Sequence, residues 1–236
     1  MSNTMSKKTI LITGVSSGLG RALAVEALEQ GHQVLGTVRN EAARQIFEAL
    51  KPGAAIGRVL DIRDDAAIAK LVENFESEIG PIDVLVNNAG YGHEGTLEES
   101  PMDELRDQFA VNVFGAVAAM KAVLPFMRER RKGHILNVTS MGGLMTMPGI
   151  SFYHGSKFAL EGISASLGKE VKPFGIAVTA VAPGMFRTDW AGRSMVRSER
   201  RVSAYDEVFE PIRKGRKKRN GQQPGDPAKA ARLFSR

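Results

Sequence analysis

Six short runs rich in valine and isoleucine, at 9–13, 33–38, 55–60, 82–86, 133–138 and 176–181, punctuate the first three quarters of this chain. They are apolar almost throughout rather than alternating, the pattern of strands buried on both faces. Longer helix-like segments lie between them, at 18–30, 41–50, 64–79, 102–130 and 153–173. A parallel return between strands needs a crossover, so this alternation predicts a parallel sheet with helices on both faces. Right-handed crossovers leave few topologies, of which a doubly wound open α/β sheet is the simplest. Ligands of such sheets bind at the carboxyl ends of the strands.

The 236 residues suit a single domain spanning 1–236, and 43% hydrophobic residues suffice for a large core. With no cysteine there is no disulfide, thiolate metal site or catalytic thiol, and a reducing compartment is permitted. A cytoplasmic location is expected. No uninterrupted apolar stretch of about 18 residues is present, so no membrane span is expected. The segment 1–8 is polar and lacks the apolar centre of a signal peptide. The four histidines, His32, His93, His134 and His154, show no metal-ligand spacing, and no metal is expected. The net charge of +6 is localised: residues 193–236 carry 13 Lys/Arg against 5 Asp/Glu, and the rest of the chain is slightly acidic. The densest basic run, 213–219, lacks interleaved aromatics, so it reads as a solvated loop rather than a nucleic-acid site. From 184 to 226 periodicity is weak. A flexible, basic, lid-like segment is expected around 190–226, with one short helix near 203–209 and a last helix at 228–234.

The first strand runs into Thr13-Gly14-Val15-Ser16-Ser17-Gly18-Leu19-Gly20, and a helix pattern follows. Glycines let a backbone approach a pyrophosphate closely, and the free N–H groups of a helix start attract an anion. The spacing is neither G-x-G-x-x-G nor a P-loop.

This turn resembles the T-G-x-x-x-G-x-G of the short-chain dehydrogenase/reductase family, and further motifs extend the likeness. Asn87-Asn88-Ala89-Gly90 follows the fourth strand, Asn112 lies in a helix, Ser140 follows the fifth strand, and Tyr153-x-x-x-Lys157 opens the next helix. Pro183-Gly184 and Thr188 follow the sixth strand. The resemblance covers about residues 7–190. It implies a single Rossmann-type domain, a sheet of six strands with a seventh left open, and a nicotinamide cofactor. It assigns cofactor contacts to Gly14, Ser16, Ser17, Gly18, Leu19, Gly20, Asn88, Ala89, Gly90, Tyr153, Lys157, Pro183, Gly184 and Thr188, with Asp61 beside the adenine. Members that prefer NAD carry an acidic residue at the end of the second strand; here Val38 and Arg39 stand there, which resembles NADP(H)-preferring members. The catalytic set implied is Asn112, Ser140, Tyr153 and Lys157.

Tyr153 and Lys157, four apart, share one helix face, and a nearby lysine charge favours the phenolate of a proton-transferring tyrosine. The Ser140 hydroxyl can bond the substrate oxygen. Asn112 supports the lysine in the family. Met141, Met147, Met185 and Trp190, with Leu144, Met145 and Phe186 near them, are candidates for an adaptable apolar pocket. Such a pocket suits a hydrophobic ketone, aldehyde or secondary alcohol. The segment 153–190 resembles the branch containing retinol and 17β-hydroxysteroid dehydrogenases. The reading is therefore an NADP(H)-dependent carbonyl reductase or alcohol dehydrogenase; the alternative is a non-catalytic NADP(H)-binding regulator on the same fold. The family also implies a homodimer or homotetramer built on the helices 102–130 and 153–173. Members usually continue with another strand and helix, whereas no seventh-strand pattern precedes Arg236.

Overall fold

The computed structural model describes residues 7–234. The polar segment read at 1–8 lies almost wholly outside them. Six parallel strands form the main sheet: β1 (Thr9–Ile12), β2 (Gln33–Val38), β3 (Ala55–Val59), β4 (Val84–Asn87), β6 (Gly133–Val138) and β7 (Ile176–Val181). Their order is β3-β2-β1-β4-β6-β7. The order reverses between β1 and β4, whose carboxyl ends therefore open a crevice.

Strand residues alternate between two cores, as a two-residue period requires. Leu11, Leu35, Leu85 and Ile135 face one side and Ile12, Val34, Val84 and Val86 the other. The first side packs on α3 (Asp65–Glu78), α5 (Gly115–Arg130) and α6 (Ser151–Val171) through Phe75, Met120, Met127 and Leu160. The second packs on α1 (Gly18–Glu29), α2 (Glu41–Glu48) and α8 (Pro227–Phe234) through Leu23, Leu28, Phe47 and Ala231. These apolar strands are buried on both faces as their composition demands.

β4 starts two residues later than the sequence suggests. The Ile82 amide donates to Glu76 Oε1 at 3.0 Å and its carbonyl accepts from Arg130 at 2.9 Å, so side chains take the groups a strand would pair. The segment Met102–Arg130 is one continuous helix in which α4 (Met102–Phe109) joins α5 through a π turn, Ala110–Phe114. By length and composition this helix could cross a membrane. Here Ala116, Ala119, Met120, Val123 and Met127 lie in the core.

The basic C-terminal region departs from the sequence expectation of a loop with a short helix at 203–209. It forms a fourteen-residue helix, α7 (Asp206–Arg219), that contains the whole 213–219 run. Asp206 and Glu207 sit at its start and four basic residues in its last turn, as the helix dipole favours. Before it, β8 (Met195–Arg197) pairs in parallel with β5 (Gly92–Glu94) in a separate two-stranded ribbon. Neither element has an apolar period long enough to be read from sequence.

Candidate active site

Everything at the crevice hangs from the turn after β1. Gly14 and Gly18 adopt φ of +74° and +60°, values open to glycine at little cost. A Cβ at Gly20 would stand 2.3 Å from both the Asn88 amide nitrogen and the Gly14 carbonyl oxygen. The turn is thus folded tightly onto the β4 loop. Asn88 Nδ2 donates to the carbonyls of Thr13 and Gly14 at 3.0 and 2.9 Å. Thr13 Oγ1 accepts from the amides of Asn88 and Ala89 at 3.0 and 2.9 Å. Thr37 Oγ1 accepts from the Gly14 amide at 3.0 Å. Thr13 and Thr37 were not singled out by sequence reasoning, though Thr13 opens the glycine motif.

The turn leaves a cradle suited to a dinucleotide phosphate. Ser17 caps α1 without a side-chain hydrogen bond, and the first turn carries no acidic residue, so its amides face an anion unopposed. Ser16 is exposed, and Ser17, Gly18 and Leu19 are half-buried. Thr188 lies across the cradle, since a Cβ on Gly18 would meet it at 3.7 Å. Pro183 is tied to the catalytic loop through its carbonyl, which accepts from the Met141 amide at 2.9 Å. Gly184 has open space beside it.

Val38 is buried at the end of β2 and Arg39 is exposed just beyond it. Arg39 lies near enough to Asp61 to help hold that carboxyl below its ordinary value, although the main cause is Arg63. Arg63 grips both Asp61 oxygens, with its Nη2 at 2.6 Å. Asp61 therefore also serves as a turn residue, its Oδ1 accepting from the Arg63 amide.

Ser140, Tyr153 and Lys157 converge at the end of β6. Ser140 is buried, and its Oγ accepts from the Gly142 amide at 2.9 Å. Tyr153 is 7% exposed and stands beside Ser140. Burial pushes its phenol up to about 12, with the neighbouring Ser140 hydroxyl pulling the other way. Lys157 Nζ lies 5.9 Å from the Tyr153 ring centre and donates to the Val138 carbonyl at 2.8 Å. Burial pulls the ammonium down to about 8, opposed by Glu161. In this state burial dominates and keeps the tyrosine a neutral phenol at pH 7; the expected pull toward phenolate drew on the lysine charge together with an oxidised nicotinamide.

Asn112 sits in the π turn. Its Oδ1 accepts from the Tyr91 amide at 3.1 Å, and its Nδ2 donates to the Tyr91 carbonyl and to Ser156 Oγ, both at 3.1 Å. A Cβ on Gly90 would meet Asn112 Oδ1 at 3.1 Å and Lys157 Nζ at 3.8 Å, so Gly90 separates the two. His154, read from the sequence only as lacking metal-ligand spacing, fastens the loop beyond Ser140. Its Nδ1 bonds the Gly142 carbonyl and its Nε2 accepts from the Met147 amide.

Of the pocket candidates, Trp190 reaches the site: its ring lies 5.0 Å from that of Tyr153, tilted by 59°. Met141 is half-buried, whereas Met147 and Met185 are largely exposed, at the rim rather than in a packed wall.

The profile of the short chain dehydrogenase family matches residues 8–198. Over 188 residues the chain is 45% identical to 3-ketodihydrosphingosine reductase of Bacteroides thetaiotaomicron, covering 78% of this chain and 66% of that protein. It is 38% identical over 194 residues to retinol dehydrogenase 8 of Homo sapiens, covering 79% of this chain and 61% of that protein. The match thus spans less than two thirds of either relative's length. A short-chain dehydrogenase structure from Streptomyces avermitilis superposes with a TM-score of 0.89 at 41% identity, covering 98% of this chain and 83% of that one. Both cofactors occur among similar structures. ElxO with NADP bound has a TM-score of 0.80 at 26% identity, covering 97% of this chain and 90% of that one. A short-chain dehydrogenase/reductase from Burkholderia phymatum in complex with NAD has a TM-score of 0.85 at 25% identity, covering 97% and 84%.

Proposed function

The chain belongs to the short-chain dehydrogenase family, and from that premise we propose that it is an NADP(H)-dependent oxidoreductase acting on a hydrophobic ketone, aldehyde or secondary alcohol. The observation that carries the reading is the buried Ser140–Tyr153 pair beside the Lys157 ammonium, at the mouth of a glycine cradle shaped for a phosphate.

When bound, the nicotinamide supplies or accepts the hydride. Gly14, Gly18, Gly20 and the α1 amides would hold the pyrophosphate, with Asn88, Ala89 and Gly90 beside it. Ser140 Oγ bonds the carbonyl oxygen and fixes its orientation. Tyr153 gives that oxygen a proton in reduction and takes it back in oxidation. A neutral phenol is the form reduction requires. Lys157 offsets the negative charge that develops on the phenol oxygen. Asn112 is a positioning residue that holds the Gly90–Tyr91 backbone between itself and Lys157.

Arg39 favours NADP(H), because a guanidinium pairs with a 2′-phosphate where a carboxylate would repel it. Trp190 offers the reacting carbonyl an apolar surface, with Met141 beside the site and Met147 and Met185 at its rim. The 3-keto and retinoid names of two relatives agree with a long apolar substrate. A cytoplasmic homodimer or homotetramer completes the reading. Phe114 and Phe158, exposed on the helices 102–130 and α6, support an interface there.

A thermal-shift titration with NADPH and NADH side by side tests the cofactor reading. At 100 times Kd, binding adds about 2.7 kcal/mol, or about 5–10 °C for a domain of this size. A larger shift with NADPH is expected. A larger shift with NADH would overturn the role of Arg39, and no shift with either would overturn the cofactor site.

A further inference from the structure

The arm that carries Trp190 is held down mainly by charge. Among the described residues from 184 to 226, the buried hydrophobic side chains are Met195 and Phe209. Against this thin apolar anchorage, four of the five acidic side chains between residues 94 and 104 reach into the arm. Glu94 meets Arg197 at 3.3 Å, Arg216 at 3.1 Å and Arg213 at 3.9 Å. Glu98 accepts from the Tyr205 hydroxyl, Glu99 pairs with Arg200, and Glu104 accepts from Ser198 while pairing with His93.

Glu94 is the centre of this arrangement. Its carboxylate side chain is 3% exposed and shared by three guanidinium groups. It ends β5, and the Ser198 amide just after β8 donates to its backbone carbonyl at 3.0 Å. The ribbon it closes puts Gly92 against Met195 and Trp190, at distances that leave no room for a Cβ. Trp190 then lies over the Tyr153 ring. Arg216 adds a second tie, to the Pro148 carbonyl on the loop beyond Ser140.

We propose that Glu94 is a positioning residue: its three-arginine cluster latches the 189–219 arm onto the β5 ribbon and so sets Trp190 as the wall against which the substrate carbonyl meets Tyr153. This rests on the oxidoreductase reading above for its last clause only; the latch itself does not. A buried carboxylate stripped of its charge leaves its cationic partners uncompensated, so the arm should loosen while the sheet keeps its cores.

The chain's single tryptophan is Trp190, which makes the latch measurable without a substrate. Acrylamide quenching of its fluorescence should rise about twofold in Glu94→Gln relative to the parent, as the closed population falls. Arg216→Gln should move it in the same direction, and serves if Glu94→Gln does not fold by its melting curve. With NADPH, Kd should stay unchanged. The KM for a carbonyl that the parent reduces should rise about fivefold, the low end of a conformational coupling, with kcat held. Unchanged quenching in a folded variant would overturn the latch. So would a loss of NADPH affinity matching the rise in KM, which marks general damage. Raised quenching in a protein that turns over no carbonyl would support the latch and count against the oxidoreductase reading instead.

Discussion

The two sides of the crevice are held together by different physics. On the cofactor side, the β1 turn and the β4 loop are fastened by backbone groups, the Thr13 hydroxyl and the Asn88 amide, over apolar cores on both sheet faces. On the substrate side, the arm from 189 to 219 has two buried apolar anchors and a set of ion pairs. Short-range, close-packed contacts give a preformed cradle. Long side chains pairing across a gap give a part that can open at modest cost. A site of this family that holds a nicotinamide cofactor, yet admits and releases a substrate, has reason to be built this unevenly.

Substitutions can separate the two sides. The largest effect expected is from Tyr153→Phe, which removes the transferable proton and little volume. Turnover should fall by about 10²- to 10⁴-fold with NADPH binding intact, as steady-state rates and a thermal-shift titration would show. Gly20→Ala strikes the other side. Its methyl would collide with the Gly14 carbonyl, which is backbone, so stability should drop by about 1–3 kcal/mol and the NADPH-induced shift should vanish with it. Arg39→Asp should leave the fold alone and weaken NADPH about 10- to 100-fold, the equivalent of a lost charge-assisted hydrogen bond, while NADH binding holds or improves.

The smallest effect is one of pH. Tyr153 at about 12 and Lys157 at about 8 are both protonated at pH 7. As pH rises, Lys157 loses its charge first, so reductive kcat/KM should decline through about pH 8 while the phenol still holds its proton. A pH–rate profile would show this limb, and Lys157→Met should lack it along with much of the rate.

The cofactor side was the legible one. Its motifs are contiguous: Thr13 to Gly20, Asn87 to Gly90, and Tyr153 with Lys157 one helical turn apart. Local spacing therefore carried their meaning, and the apolar strands announced the sheet around them. The arm was not legible, and its expected loop proved to be α7 and β8. Its partners explain why. Arg216 pairs with a glutamate 122 residues away and Ser198 with a serine 98 away, and no hydrophobic period marks such contacts. The same holds in the site itself. Asn112 was placed in a helix but not in a π turn, because one extra residue in a turn leaves the apolar pattern nearly unchanged. The neutral state of Tyr153 depends on how deeply it is buried, which its distance from Lys157 along the chain does not reveal.

The most direct test of the account follows the hydride. The protein would be incubated with NADPH deuterated at the transferring position of C4, on either face, and with long-chain 3-keto and retinoid carbonyls. Product alcohols would then be examined by mass spectrometry. Deuterium is expected on the former carbonyl carbon from one face of the cofactor, and none with Tyr153→Phe over the same time. Alcohol formed without deuterium from either face, or formed equally well by Tyr153→Phe, would contradict it.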